Sequence, residues 1–153
     1  MANVNADIQT NAVATPPVRT KVNRLNGRMR WFEATYTAPA TGMPGIGDTI
    51  TWGSLPVGAR TLGHLGQLNW STGTASSTLN VGDAASAARH LAATAITTAG
   101  VATPQAANAS GAQFETSDGS SAATNNCTLI STIAGAGLAA NQVLTLRMPY
   151  VTD

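Results

Sequence analysis

Of the chain's 153 residues, 75 are Ala, Thr, Gly or Ser and only 10% are charged, against about 25% in an ordinary soluble domain. No apolar run approaches the roughly 18 residues of a spanning helix, and the opening MANVNADIQT lacks the basic and apolar regions of a secretory signal. One cysteine, Cys127, excludes an internal disulfide framework and a cysteine-based zinc cluster.

The net charge of +1 is unevenly spread. Residues 1–30 hold Arg19, Lys21, Arg24, Arg28 and Arg30 against Asp7. The remainder holds Arg60, Arg89 and Arg147 against Glu33, Asp48, Asp83, Glu115, Asp118 and Asp153. Compactness needs no such sorting, so the basic front reads as a contact region. Residues 1–26 show neither helical nor strand periodicity, and Pro16 and Pro17 remove two backbone donors. They form either a disordered tail or an extended basic arm that orders against a partner, which must then offset about 1–2 kcal/mol of backbone entropy per residue. Residues 27–153 are expected to form the folded domain.

RMRWFEATYT (28–37) mixes aromatic and β-branched residues suited to a strand. Trp31 and Phe32 fall on opposite faces unless a bulge intervenes, so one of them is a candidate for a partner surface. DTITWG (48–53) alternates, with Ile50 and Trp52 on one face. Pro56 pre-sets the next turn and Gly58 permits a positive φ; Arg60 leaves that turn to pair with Asp48 or to meet a partner carboxylate. A strand region over 59–72 bends at Gly63 and Gly66. SSTLNVGD (76–83) places Leu79 and Val81 together, with Gly82 allowing a tight exit.

DAASAARHLAATAI (83–96) is the one helical signal, with Asp83 as a possible N-cap. Its apolar stripe is thin and β-branched residues follow, which limits the helix to one or two turns at most, with strand or irregular chain after Leu91. Residues 100–126 offer few anchors, with Gly119, Ser120 and Ser121 marking a flexible stretch. CTLISTI (127–133) puts Leu129, Ser131 and Ile133 on one face. QVLTLRMPYV (142–151) puts Leu144, Leu146, Met148 and Tyr150 on one face, and Pro149 points to an edge or a bulge. Seven or eight short antiparallel strands with at most one short helix predict an all-β sandwich or small barrel. With 11 Leu, 6 Ile and few aromatics, the core is lean, and contacts between copies or with a scaffold would add stability.

Chemistry is sparse. His64, read in a strand, and His90 are the only histidines, and no ligand spacing joins them to a carboxylate. The phosphate loop, H-E-x-x-H and nucleophile-elbow motifs are absent. Lys21, the only lysine, has nothing near it in sequence to desolvate it, and Cys127 has no basic neighbour to activate it. These features predict no enzyme, no metal and no cofactor. Five cations within 19–30 attract phosphates, but the body has no matching positive face; an acidic protein surface is the expected partner rather than nucleic acid. Trp31, Phe32, Trp52 and Trp70 are candidates for a self-association or ligand surface, including a sugar-stacking platform.

The segments GDTITWGSLPVGARTLGHLGQL (47–68) and STLNVGDAASAARHLAATAITTAG (77–100), with the ending LTLRMPYVTD (144–153), resemble small virion structural proteins of tailed bacteriophages. The marks are Gly47-Asp48, the turn Leu55-Pro56-Val57-Gly58-Ala59-Arg60, and Val81-Gly82-Asp83. The resemblance covers roughly 28–153 and is weak over 100–126. It implies a capsid decoration (cement) protein with a jelly-roll-like β-sandwich, bound outside the joints between major capsid subunits and self-associated as a dimer or trimer. Arg19, Lys21, Arg24, Arg28 and Arg30 would then contact the major capsid protein. A tail or baseplate sandwich and a carbohydrate-binding module are the alternatives.

Overall fold

Among the described residues nine strands succeed one another as β1 (Arg28–Thr37), β2 (Thr49–Ser54), β3 (Arg60–Thr61), β4 (Gln67–Trp70), β5 (Thr78–Val81), β6 (Leu91–Ala95), β7 (Gly100–Ala102), β8 (Thr128–Ala134) and β9 (Val143–Thr152). They belong to a computed structural model that describes residues 14–19, 27–104, 115–116 and 127–152. The expected flexible stretch around Gly119–Ser121 lies outside the described residues.

One sheet has the order β1-β9-β4-β7, with β3 also on β9; the other has the order β2-β8-β5-β6. The antiparallel pairs are nested: β1 with β9, β2 with β8, β4 with β7, and β5 with β6. A chain folded back on itself and rolled into two facing sheets has this order, which is a jelly roll. The sandwich expectation is met and the barrel is not.

Alternation puts the core between the sheets. Leu68, Leu144, Leu146 and Met148 face inward from one sheet; Ile50, Trp52, Leu79, Val81, Leu91, Leu129 and Ile133 face them from the other. Ser131 shares the buried face of β8, and its Oγ accepts a hydrogen bond from Trp52 Nε1 at 2.7 Å. That bond satisfies both polar atoms in a setting where either alone would be costly.

Three expectations are corrected. No helix forms over 83–96. Residues 83–90 form the tight turn between β5 and β6, and Leu91 enters a strand opposite Val81. Helix propensity of the alanines yields to burial of Leu91, and β-branched Thr94 and Ile96 favour extended chain. Second, the 59–72 region is interrupted at Gly63 and Gly66 as expected, but by a 3-10 turn over Gly63–Leu65 between β3 and β4, which places His64 in that turn and exposed rather than in a strand. Third, Pro149 lies neither at an edge nor at a bulge. β9 is flanked on both sides, and its register with β1 runs unbroken through Trp31↔Pro149. The Pro149 carbonyl accepts from Leu62 N–H at 2.8 Å. In an antiparallel strand a residue's N–H and C=O point to the same side, so the donor that proline lacks faces the gap where the 3-10 turn interrupts β3 and β4.

Gln142 joins the two sheets at one end. Its side chain is buried, accepts from Ala139 N–H at 3.1 Å, and donates to the carbonyls of Ser71 (3.3 Å, after β4) and Ile96 (3.2 Å, after β6). Substituting Gln142→Ala removes that donor from the buried Ile96 carbonyl and the half-buried Ser71 carbonyl, and should cost about 1–3 kcal/mol. Urea unfolding at neutral pH measures this, and an unchanged midpoint would refute the bridging role.

Candidate functional site

The basic residues separate once the fold is known. Arg19 lies exposed in the described segment 14–19, whereas Lys21 and Arg24 lie outside the described residues. Arg28 and Arg30 begin the first strand, as read from the sequence: they are the first and third residues of β1, paired with Thr152 and Tyr150 of β9. All of the first four residues of β1 are exposed, whereas the β9 residues opposite them, Pro149 to Thr152, are buried or half-buried.

The aromatics divide as well. Trp31 is 55% exposed and shares the outer face of β1 with exposed Met29. Phe32 points inward and packs half-buried against the core. Trp52 is only 8% exposed and belongs to the core, so it takes no part in a surface of the single chain. Trp70 is half-buried, its Nε1 donating to the Thr98 carbonyl at 2.6 Å. Of the four candidates, Trp31 alone presents its ring outward.

The turn residues form two pinned loops. Around Pro56 and Gly58, Gly58 adopts φ +77° and Ala59 N–H reaches the Pro56 carbonyl at 3.2 Å. Thr116 fastens this loop through Gly58 N–H to its carbonyl and through its own N–H to Ala59 (both 2.8 Å), and its hydroxyl donates to Pro56. The second loop is the β5–β6 turn. The Asp83 carboxylate is buried and accepts from Ala85 N–H (2.9 Å) and Ser86 N–H (2.8 Å) while forming an ion pair with Arg89. Asp83 thus does for a turn what an N-cap does for a helix. A Cβ on Gly82 would stand 2.2 Å from the Ser86 carbonyl oxygen, so only glycine fits. His90 is buried beside this pair; burial pushes its imidazole down from 6.5 to about 4, against the opposing pull of the Asp83 carboxylate.

Asp48 and Arg60 do not pair. The Asp48 carboxylate accepts from Gly45 N–H at 2.7 Å, and among the described residues Arg60 has no ion-pair partner. Its Nε is buried without a hydrogen bond. On the outer face of the β1–β9 pair, Glu33 meets Arg147 at 2.9 Å, a cross-strand pair that the sequence reading missed. The hydrogen bond from Arg147 holds the Glu33 carboxyl below its usual range. Glu33, Asp83 and Glu115 are all engaged, and Asp48 holds its own loop. Arg28, Arg30 and Arg60 are without ion-pair partners among the described residues. All three map to one end of the first sheet: Arg28 faces Thr152, Arg30 faces Tyr150 and Arg60 faces Val151. No cluster of three or more His, Cys, Asp or Glu side chains able to hold a metal occurs among the described residues.

The described residues bring together a cationic and partly apolar strand end at one end of the first sheet. No family model matches the chain, and no curated protein matches it in sequence. Among solved structures, a chain of the cyanophage Pam1 capsid asymmetric unit matches with a TM-score of 0.67 and 21% identity, covering 100% of both chains. A chain of the capsid of Ralstonia phage GP4 matches with a TM-score of 0.57 and 18% identity, over 88% of this chain and 92% of that one. The rolled β-sandwich built from residues 28–152 is therefore a fold that this chain shares with chains of two bacteriophage capsids.

Proposed function

We propose that the protein is a non-enzymatic structural component of a bacteriophage particle, bound to the outside of a tailed-phage capsid at joints between major capsid subunits. The observation that carries this reading is the full-length likeness in fold to a chain of the Pam1 capsid. The cation surplus at one end of the sandwich supports it, since an adhesive protein needs a charged or apolar patch and no catalytic cleft. Residues 1–26 serve as a basic arm continuing from that end, and copies associate as dimers or trimers. A packed shell is strained outward by its genome, and each bound copy raises the cost of separating neighbouring capsomers. Weak single contacts suffice because many copies act together over one shell.

A sugar-stacking role has less support, because Trp52 is in the core and Trp70 packs half-buried. The test compares particles with and without the protein. Stripped particles should release their genome at a lower temperature and in milder low-salt shock, and adding the purified protein should restore the difference. Equal resistance would sink the stabilising role, and density for the protein only on the tail would move it elsewhere in the particle.

A further inference from the structure

Among the described residues, no strand lies along the outer edge of β1. The Pro149 and Val143 carbonyls are taken by Leu62 and Ser71 N–H groups on the far side of β9. Their β1 partners, Trp31 and Thr37, are therefore non-hydrogen-bonded pairs whose own N–H and C=O point away from β9. By alternation, Met29, Trp31, Glu33, Thr35 and Thr37 all display backbone donors and acceptors along that edge, and no hydrogen bond from the described residues covers them.

The other sheet edges are blunted. β7 has three residues, and the ladders of β2 and β6 are broken by register shifts. β1 pairs over ten residues without a shift and has no proline, which makes it about 33 Å of straight template. Its side chains are also biased. Arg28 and Arg30, on one face, have no ion-pair partner among the described residues, while Met29 and Trp31 stand exposed on the other.

Residues opposite each other on neighbouring strands share a face, and opposite charges there are favourable. Accordingly, we propose that the free edge of β1 takes up an extended segment of the shell protein as an added strand, one that alternates acidic residues, facing Arg28 and Arg30, with apolar residues, facing Met29 and Trp31. This rests on the shell-binding reading and specifies its chemistry. A second copy of the chain would bring further arginines to the edge and leave the cation surplus unrelieved.

The test uses the full chain and empty shells of the particle. Thr35→Pro removes one edge donor without touching the β9 ladder, Thr35→Val controls for the lost hydroxyl contact with Thr145, and Arg28→Glu with Arg30→Glu inverts the charge. Co-sedimentation should show Thr35→Val binding like the parent, and the other two variants weakened roughly tenfold or more with unchanged Tm. Hydrogen exchange over 28–37 should slow only in the shell-bound protein. Parent binding with no slowing, and Thr35→Pro binding equally well, would overturn strand addition and leave shell binding intact. Failure of the parent to bind shells would overturn both. Slowing in the protein alone, with a dimer in sedimentation, would assign the edge to a second copy and overturn the proposal.

Discussion

Substituting Asp83→Ala should cost about 3–5 kcal/mol, a large part of the 5–15 kcal/mol that holds a domain of this size. The carboxylate is buried, accepts two backbone N–H groups and pairs with Arg89. Removing it leaves a guanidinium in a poorly solvated turn and two backbone donors without their acceptor. The pair itself contributes less than that figure, because desolvation of both ions opposes their attraction. The double variant Asp83→Ala with Arg89→Leu should therefore recover part of the loss. Urea unfolding of the two single variants and the double variant measures the coupling. Additive losses would show that the two side chains act independently, against the geometry.

His90 should make the protein acid-sensitive in a window of its own. The unfolded imidazole titrates near 6.5 and the folded one at about 4, because burial disfavours the cation. Between those values the unfolded chain binds the proton that the folded chain refuses, so stability is unchanged above pH 6.5 and falls as the pH drops towards 4. The full shift corresponds to about 3 kcal/mol. Glu33 acts lower on the scale: its depressed carboxyl contributes stability above about pH 4.5 that is lost only below it. Tm measured from pH 7.5 to 4.5 should decline in the parent and stay nearly flat in His90→Leu. An identical decline in both would assign the effect to other groups.

The strands with strict alternation were legible. β8 and β9 could be located within a residue or so because period-2 burial is written in the side chains, and β1 by its aromatic and β-branched composition. β6 was not, since Leu91–Ala95 is mostly alanine and carries no apolar period; it is a strand because Val81 and the β5–β6 turn make it one. β7 is too short to leave a signal. Pro149 misled because sequence shows that a donor is missing but not which side of the strand it would have faced. At the surface, the cations were visible and Arg28 and Arg30 were already placed in a strand, but that Arg60 joins them at one end of the sheet depended on the pairing with β9. The exposed edge of β1 had no local mark at all, since being an edge is a property of strand order.

The nested pairing also sets a timetable for the chain's birth. β9 is the last of the nine strands to be synthesised, yet it sits between β1 and β4 and supplies a ladder to β3 as well. Until it emerges, β1, β3 and β4 lack their shared neighbour, and long-range closure of this kind is slow. The second sheet is nearer completion at that stage, because β8 precedes β9. A ribosome-bound chain therefore passes through a stage with half a sandwich, its apolar face uncovered. Adhesive edges on such a species invite aggregation.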